Sequence, residues 1–389
     1  MNWQTYYVDG AAALDEVCAR IRNKPWLALD TEFIRESTYY PRLCLLQLAT
    51  DDVIACIDPL ALAHLDPLAE ILFDPAVIKV FHACSQDMEI FYHAYGRLPG
   101  PVFDTQLAAP LLGMQNQPSY ASVVQELLGT ALSKSHTRTD WCRRPLSPAQ
   151  IEYALDDVRY LGPLYLKLRA QLEQRGRLAW LQEDFAALSD PARYRNPPEL
   201  AWRRIRATGK LTGRRLATLK SLAAWREERA RREDRPRGWI LTDEALVDIA
   251  RMGPDDAEQL ASLRSVKRQA VQDYGSEILA LVLRAKAAPA GGADTSPAGE
   301  RAGPLDPHQE ALADIMMALV RVRGAENAIN PAMLASRDEL ARVILGERDT
   351  EVLHGWKKSL IGDDLLLLLA GQLRLRIVDG TPGFGPSRD

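Results

Sequence analysis

The chain has 389 residues, 47% of them hydrophobic and 26% charged, with a net charge of −4; it is too apolar for wholesale disorder and long enough for roughly two or three domains. No positively charged start followed by an apolar run opens the sequence, and runs such as Leu365 to Ala370 are far too short to span a bilayer, so the expectation is a cytoplasmic protein without membrane contact. Five cysteines without a C-x-x-C pair and six histidines without an H-E-x-x-H pair indicate neither a disulfide framework nor a zinc site, and the cysteines read as reduced thiols filling the core.

The first predicted element is a helix from Tyr7 to Arg22. Three β-rich runs follow in quick succession, "WLALDTEFI", "LCLLQLAT" and "VIACID", with spacings that suit an antiparallel meander. On the first run Asp30 and Glu32 are one residue apart, so they share a face of the strand while Leu27, Leu29 and Thr31 point the other way. Two like charges on one face repel. Either the strand has reached a solvated sheet edge, or a divalent cation lies between them, because carboxylate oxygens are the ligands Mg²⁺ and Mn²⁺ prefer.

A helical stretch from Leu65 to Leu72 precedes the strand "VIKVFH", a helix from Ser85 to Tyr95 and the short strand "VFDT". Asp87 falls in the first turn of that helix, where an acid is either a dipole partner or a ligand. Helices then dominate to about Leu188. In "QIEYALDDVRYL", Tyr153 and Asp157 are one turn apart on a common face, with Asp156 rotated away by about 100°. Early strands followed by strands alternating with helices predict a mixed α/β sheet.

Periodicity breaks at "SDPARYRNPPEL", which marks a boundary near residue 190. From 210 to 286 all periodicity is helical. Between Trp202 and Trp239 there are thirteen Arg or Lys against four Asp or Glu, a footprint for phosphates or a solvated helical face. The stretch 287–304, "AAPAGGADTSPAGERAGP" with its alanine start, is composed like a flexible tether, and 305–380 is helical again.

In combination, D-x-E on an early strand, Asp87 after a later one and Y-x-x-x-D on a helix resemble the DEDDy family of 3′-5′ exonucleases, with its ribonuclease-H-like fold. "DTEFIRESTYYPRLCLLQLA", "KVFHACSQDMEIF" and "SKSHTRTDWCRRPLSPAQIEYALDDVRYL" are similar to the corresponding segments of bacterial ribonuclease D. "LATLKSLAAWREERARREDRPRGWILTDEALVDIA" is similar to the HRDC module that ribonuclease D shares with RecQ-type helicases. The resemblance spans most of residues 25 to 285. It implies an exonuclease domain over 1–190, with a mixed sheet flanked by helices, then two small all-α HRDC-like bundles over 210–286 and 305–380.

Carried over by position, the resemblance implies that Asp30, Glu32, Asp87 and Asp157 hold two divalent metal ions, Mg²⁺ or Mn²⁺, and that Tyr153 orients the attacking water. Hydrolysis of a phosphodiester needs an activated water and a counter-charge for the leaving oxygen, which two metal ions supply together. Gln47, beside the D-x-E strand, is placed to bond substrate or only backbone. His82, at the end of its strand, is either a substrate contact or a satisfied structural residue. Lys134, Arg138, Trp141 and Arg143 mix charge with an aromatic, as single-strand binding surfaces do, although loop solvation also accounts for the charges. Phe33 and Tyr39 stand as wedges for a terminal base or as core.

In the basic module Arg226, Arg229, Arg231, Arg232 and Arg237 are the expected phosphate contacts, with Glu227, Glu228 and Glu233 offering internal pairing instead. The tether would let the helical domains close around a structured RNA. The expected protein is a monomeric, metal-dependent exoribonuclease that releases nucleoside 5′-monophosphates from transfer RNA precursors and other small structured RNAs. A DNA exonuclease on the same domain, or a non-catalytic RNA-binding protein, are the alternatives.

Overall fold

The computed structural model describes residues 3–132, 139–206, 211–287 and 305–386. β1 (Gln4–Val8) precedes α1 (Ala11–Ile21), so the opening segment expected as one helix is divided at Gly10, whose φ of −147° is extended backbone. β2 (Trp26–Ile34), β3 (Arg42–Ala49) and β4 (Val53–Ile57) form the expected antiparallel meander. After α2 (Asp66–Leu72) come β5 (Ile78–Phe81), α3 (Ser85–Tyr95) and β6 (Val102–Asp104). The sheet order is β1-β4-β3-β2-β5-β6, with β1 parallel to β4 and with β2, β5 and β6 parallel in turn.

β2 lies between β3 and β5, so its first residues are interior to the sheet. Pairing with β5 stops at Ala28–Val80, whereas pairing with β3 runs on to Ile34. Asp30 and Glu32 therefore sit just past the last β2–β5 pair, at an opening of the kind at which α/β sheets bind ligands.

The two faces of the sheet bury different helices. Leu27 and Leu29 join Leu46, Leu48, Ala55 and Ile57 under α1, α2 and α3. The opposite face carries Ala28, Leu45, Ala49, Ile54 and Cys56, covered by helices that come later in the chain. Those are α4 (Thr105–Ala108), α5 (Tyr120–Leu128), α6 (Pro148–Arg159), α7 (Leu161–Gln174) and α8 (Gln182–Leu188). α6 begins with a capping box between Ser147 and Gln150 and with Pro148 in its first turn, which fixes its start. α7 approaches β2 so closely at Gly162 that a Cβ there would overlap the Trp26 ring.

The second unit contains α9 (Gly213–Arg232), α10 (Arg237–Ile240), α11 (Asp243–Met252), α12 (Ala257–Ser262) and α13 (Arg268–Ala287). Leu219, Leu222, Leu246, Ile249 and Ile278 form its core, which also takes in Trp202 and, from the segment after β2, Tyr39. The expected tether falls almost wholly outside the described residues. The third unit runs through α14 (Pro307–Glu326), α15 (Pro331–Leu334), α16 (Arg337–Ile344), α17 (Gly355–Lys357) and α18 (Asp363–Leu369).

The third unit is helical up to Leu369 and then ends in a hairpin, β7 (Leu373–Val378) and β8 (Thr381–Pro386). Asp379 and Gly380 turn it with φ of 50° and 74°, the two positive values that a tight hairpin needs and that Asp-Gly supplies. Its helices share one hydrophobic core with the α6 side of the sheet. Two of the cysteines are not the free thiols expected. Cys44 of β3 and Cys142 form a disulfide with Cα atoms 5.0 Å apart, across 98 residues of sequence. A search for close C-x-x-C spacing cannot detect a pair that only the fold brings together. Cys18, Cys56 and Cys84 are buried free thiols, as expected.

Candidate active site

Because side chains alternate along a strand, Asp30 and Glu32 share the face of Ala28, the face that α6 covers. Asp157, on α6, reaches down to them. Carboxylate oxygens of Asp30, Glu32 and Asp157 all lie within 4.8 Å of one another. Asp87 comes from the first turn of α3, where its carboxylate accepts a 2.5 Å hydrogen bond from Thr31 Oγ1. It stands beside the group of three rather than inside it, close enough to act on Asp30 and Glu32 electrostatically. Asp156 turns away, as its rotation predicts, and pairs with Arg159.

Four carboxylates at this spacing are hard to ionise together. Burial, then the charges of Asp87, Asp157 and Glu32, hold the Asp30 carboxyl well above the usual carboxylate range. Burial, followed by Asp157 and Asp87, pushes Glu32 up to about 8. Burial, with Asp156 beside it, pushes Asp157 up to about 7. Asp87 is likewise pushed to about 7 by burial, in spite of the opposing Thr31 hydrogen bond. A divalent cation with hard oxygen ligands relieves that repulsion, so the residues present fit such an ion.

Tyr153 stands one turn before Asp157, its ring stacked on Trp141 with centroids 6.1 Å apart. Burial, then the charges of Asp157, Glu32 and Asp30, push its pKa up to about 12. The phenol therefore keeps its proton at neutral pH, which suits it to orienting a water and excludes it as a base. α6 is held from below by Tyr120, whose hydroxyl donates to the Asp156 carbonyl at 3.0 Å and accepts from the Tyr160 amide at 3.2 Å. The loop before α6 is held by Arg144, which donates to Asp58 Oδ1 at 2.8 Å and to the Cys44 carbonyl at 2.6 Å.

The expected substrate contacts fare unevenly. Gln47 lies on the acid face, directly opposite Asp30 in β3, and is fully buried, so it does not meet substrate from solvent. His82 is engaged at both ring nitrogens, with Thr105 Oγ1 at 2.9 Å and the Pro118 carbonyl at 3.0 Å. Burial pushes its pKa down, which keeps it neutral and structural. Lys134 and Arg138 lie outside the described residues. Tyr39 is no wedge: it is 4% exposed, and its hydroxyl bonds Glu227.

Two corrections fall on α9. Arg226 is 5% exposed and is consumed by the Leu241 carbonyl and Asp243, each at 2.8 Å, so it cannot reach a phosphate. Arg229 is clamped between Glu233 and Glu277. Arg231 and Arg237 converge with Glu227 on the Tyr39 hydroxyl. Internal pairing, the alternative raised by Glu227 and Glu233, accounts for these four cations. Arg214, Arg215 and Arg232 remain exposed.

Some residues that shape the site carried no signal as single letters. Thr31, between the two acids, faces the other way only to hold Asp87. Asp104, at the end of β6, accepts from the amides of Ala83, Cys84 and Gln106 at 2.8 to 3.1 Å, and so fixes the turn that leads into α3. The "VFDT" strand end with its acid was the one available cue.

A family model for a 3′-5′ exonuclease matches residues 6–173, and one for the HRDC domain matches 215–282. The chain is 41% identical over 372 residues to ribonuclease D of Granulibacter bethesdensis, covering 94% of this chain and 93% of the relative. It is also 41% identical over 372 residues to ribonuclease D of Gluconacetobacter diazotrophicus, covering 95% and 93%. Among solved structures it is similar to Escherichia coli RNase D, described as an exoribonuclease involved in structured RNA processing, with a TM-score of 0.81 and 34% identity over 95% of this chain and 99% of the other.

Proposed function

The chain belongs to the ribonuclease D family of 3′-5′ exoribonucleases, and from that membership we propose that it uses two divalent ions, magnesium or manganese, to trim transfer RNA precursors and other small structured RNAs. The observation that carries the reading is the convergence of Asp30, Glu32 and Asp157 within 4.8 Å, from elements more than a hundred residues apart, with Asp87 beside them.

Asp30, Glu32, Asp87 and Asp157 would hold the ions. When bound, such ions supply positive charge that makes water nucleophilic at neutral pH and that neutralises the departing oxygen. The chain's own residues do the rest. Tyr153 keeps its proton and hydrogen-bonds the incoming water, and the Trp141 ring fixes the phenol against rotation. The water oxygen bonds to phosphorus, the bond from phosphorus to the 3′-oxygen of the penultimate nucleotide breaks, and that oxygen takes a proton. A nucleoside 5′-monophosphate leaves.

Family membership favours RNA over DNA, and the intact set of four acids and a tyrosine favours catalysis over binding alone. We further propose an exonuclease domain over 1–190, HRDC-like units over 210–286 and 305–380, a monomeric state and a cytoplasmic location.

The test is incubation of a 5′-labelled, 3′-extended transfer RNA precursor with Mg²⁺, Mn²⁺ or EDTA, beside a single-stranded DNA of equal length. A metal-dependent ladder shortening from the 3′ end is the expected result, faster on RNA. Binding without shortening would leave a non-catalytic protein, and faster loss of the DNA would make it a deoxyribonuclease.

A further inference from the structure

Gln47 is a buried polar residue near the site that the mechanism above does not use. It lies in the middle of β3, fully buried, and neither its Nε2 nor its Oε1 has a hydrogen-bond partner among the described residues. A buried polar group left in that state destabilises the fold, because it has given up its bonds to water and gained none in return. Methionine or leucine would fill the same space without that penalty.

Its surroundings show where the amide can act. On the β2 side its register partner is Asp30, and on the β4 side it is Cys56. Directly opposed residues of antiparallel strands project to the same face, with Cβ atoms roughly 4.5–5.5 Å apart. Gln47 therefore lies on the acid face, next to Asp30. The roof over it is α6: Cys56 Sγ lies 4.0 Å from the Ile151 carbonyl in the first turn of that helix. The other residues of this face of β3, Leu45 and Ala49, are apolar and fully packed. An amide donor has one charged acceptor directly across the ladder, the Asp30 carboxylate.

We propose that Gln47 is a positioning residue for Asp30: its amide N–H groups turn the Asp30 carboxylate toward the opening beside Glu32 and Asp157, so that the oxygens meet a divalent cation already oriented. This rests on the reading of Asp30 as a cation ligand. Partners of this kind, one shell behind a ligand, change metal affinity by about 10–100-fold when removed. The arrangement explains why an amide is kept in a site whose packing alone calls for a hydrocarbon. Its hydrogen bonding is completed in the ion-bound protein, and the metal-free fold bears the penalty.

The experiment measures full-length wild type, Gln47→Met, Gln47→Leu and Asp30→Asn by thermal unfolding without metal and by calorimetric titration with MnCl₂ and MgCl₂. For both Gln47 variants the expected metal-free Tm is equal to or above that of wild type, with cation affinity at least tenfold weaker and exonuclease activity recovering as metal is raised. Asp30→Asn is expected to lose the binding that Asp30 supplies, and its activity is not expected to recover. If the Gln47 variants bind metal like wild type, or unfold more readily without metal, Gln47 is only a structural residue and the proposal fails while the assignment of Asp30 stands. Should Asp30→Asn itself bind the ions as wild type does, the assignment of Asp30 falls, and the proposal with it.

Discussion

Each carboxylate of the cluster is made a weaker acid by burial and by its neighbours, and that has a consequence for stability in the absence of metal. An unfolded chain ionises Asp157 near pH 4, whereas the folded one holds its proton up to about pH 7. Between those values the folded state binds more protons, so its stability is highest at low pH and falls as pH rises through the folded pKa. Glu32, pushed up to about 8, and Asp87, to about 7, act in the same direction. Asp157→Asn is therefore expected to abolish RNA hydrolysis and yet to raise the metal-free Tm at pH 8, with the gain shrinking toward pH 5. Thermal unfolding in EDTA at several pH values checks the second part. Parallel curves for the two proteins would show that the acids do not repel as described, and an active Asn variant would remove Asp157 from the site.

At the scale of elements, α9 is an interdomain lock as much as a basic face. After β2 the chain is gripped twice: Arg35 makes a bidentate pair with Glu89 of α3, at 2.7 and 2.8 Å, and Tyr39 inserts its hydroxyl among Glu227, Arg231 and Arg237. Asp234 meanwhile accepts from the amides of Tyr39 and Tyr40 at 3.0 and 3.1 Å. Glu89 lies two residues from Asp87, so the helical unit is tied to the element that carries the fourth acid. Tyr39→Phe leaves buried charges short of one partner and is expected to lower stability by about 1–3 kcal/mol, measured by urea unfolding; an unchanged midpoint would contradict the lock. The expected RNA contacts on this helix are instead its exposed cations. Arg214 and Arg232 are five helical turns apart on one side of α9, and replacing both, with Arg215, by Ala should weaken binding of a structured RNA and flatten its salt dependence. Filter binding across a salt series reads this out, and an unchanged slope would move the contact elsewhere.

These elements also show what a sequence can reveal. D-x-E and Y-x-x-x-D were legible because strand and helix periods alone place each pair on one face. The arginines of α9 were not, since charge along a helix does not say whether a tyrosine from another domain will be inserted between them. Gln47 depends on cross-strand register, Thr31 on a contact between its strand and α3, and Cys44–Cys142 on a contact across the whole domain. The hairpin at Asp379-Gly380 is legible in its turn residues, although it directly follows a helical stretch whose periodicity masks the change of period.

At the scale of the whole molecule, the third unit is seated on the exonuclease unit by contacts of two kinds. Trp180 and Trp356 stack with ring centroids 4.6 Å apart and planes within 4°. Beside them Arg177 donates to the Leu111 carbonyl at 2.8 Å and to the Asn327 carbonyl at 2.5 Å, and Asn330 bonds the Pro110 and Met114 carbonyls at 3.0 and 2.9 Å. The 110–114 segment lies between β6 and α5, so the third unit grips the same domain that Tyr39 ties to the second. Both helical units are thus fixed to the one exonuclease unit. An aromatic stack contributes about 0.5–1.5 kcal/mol beyond its buried area, and the hydrogen bonds around it act only while the units are seated. Trp356→Ala should therefore raise the radius of gyration in solution scattering and slow trimming of a structured precursor, with hydrolysis of a short single strand nearly unchanged. Equal losses on both substrates would place the effect in the acidic site instead, and a wild type already as expanded as the variant would mean that the third unit moves freely and that closure around RNA is not built into the fold.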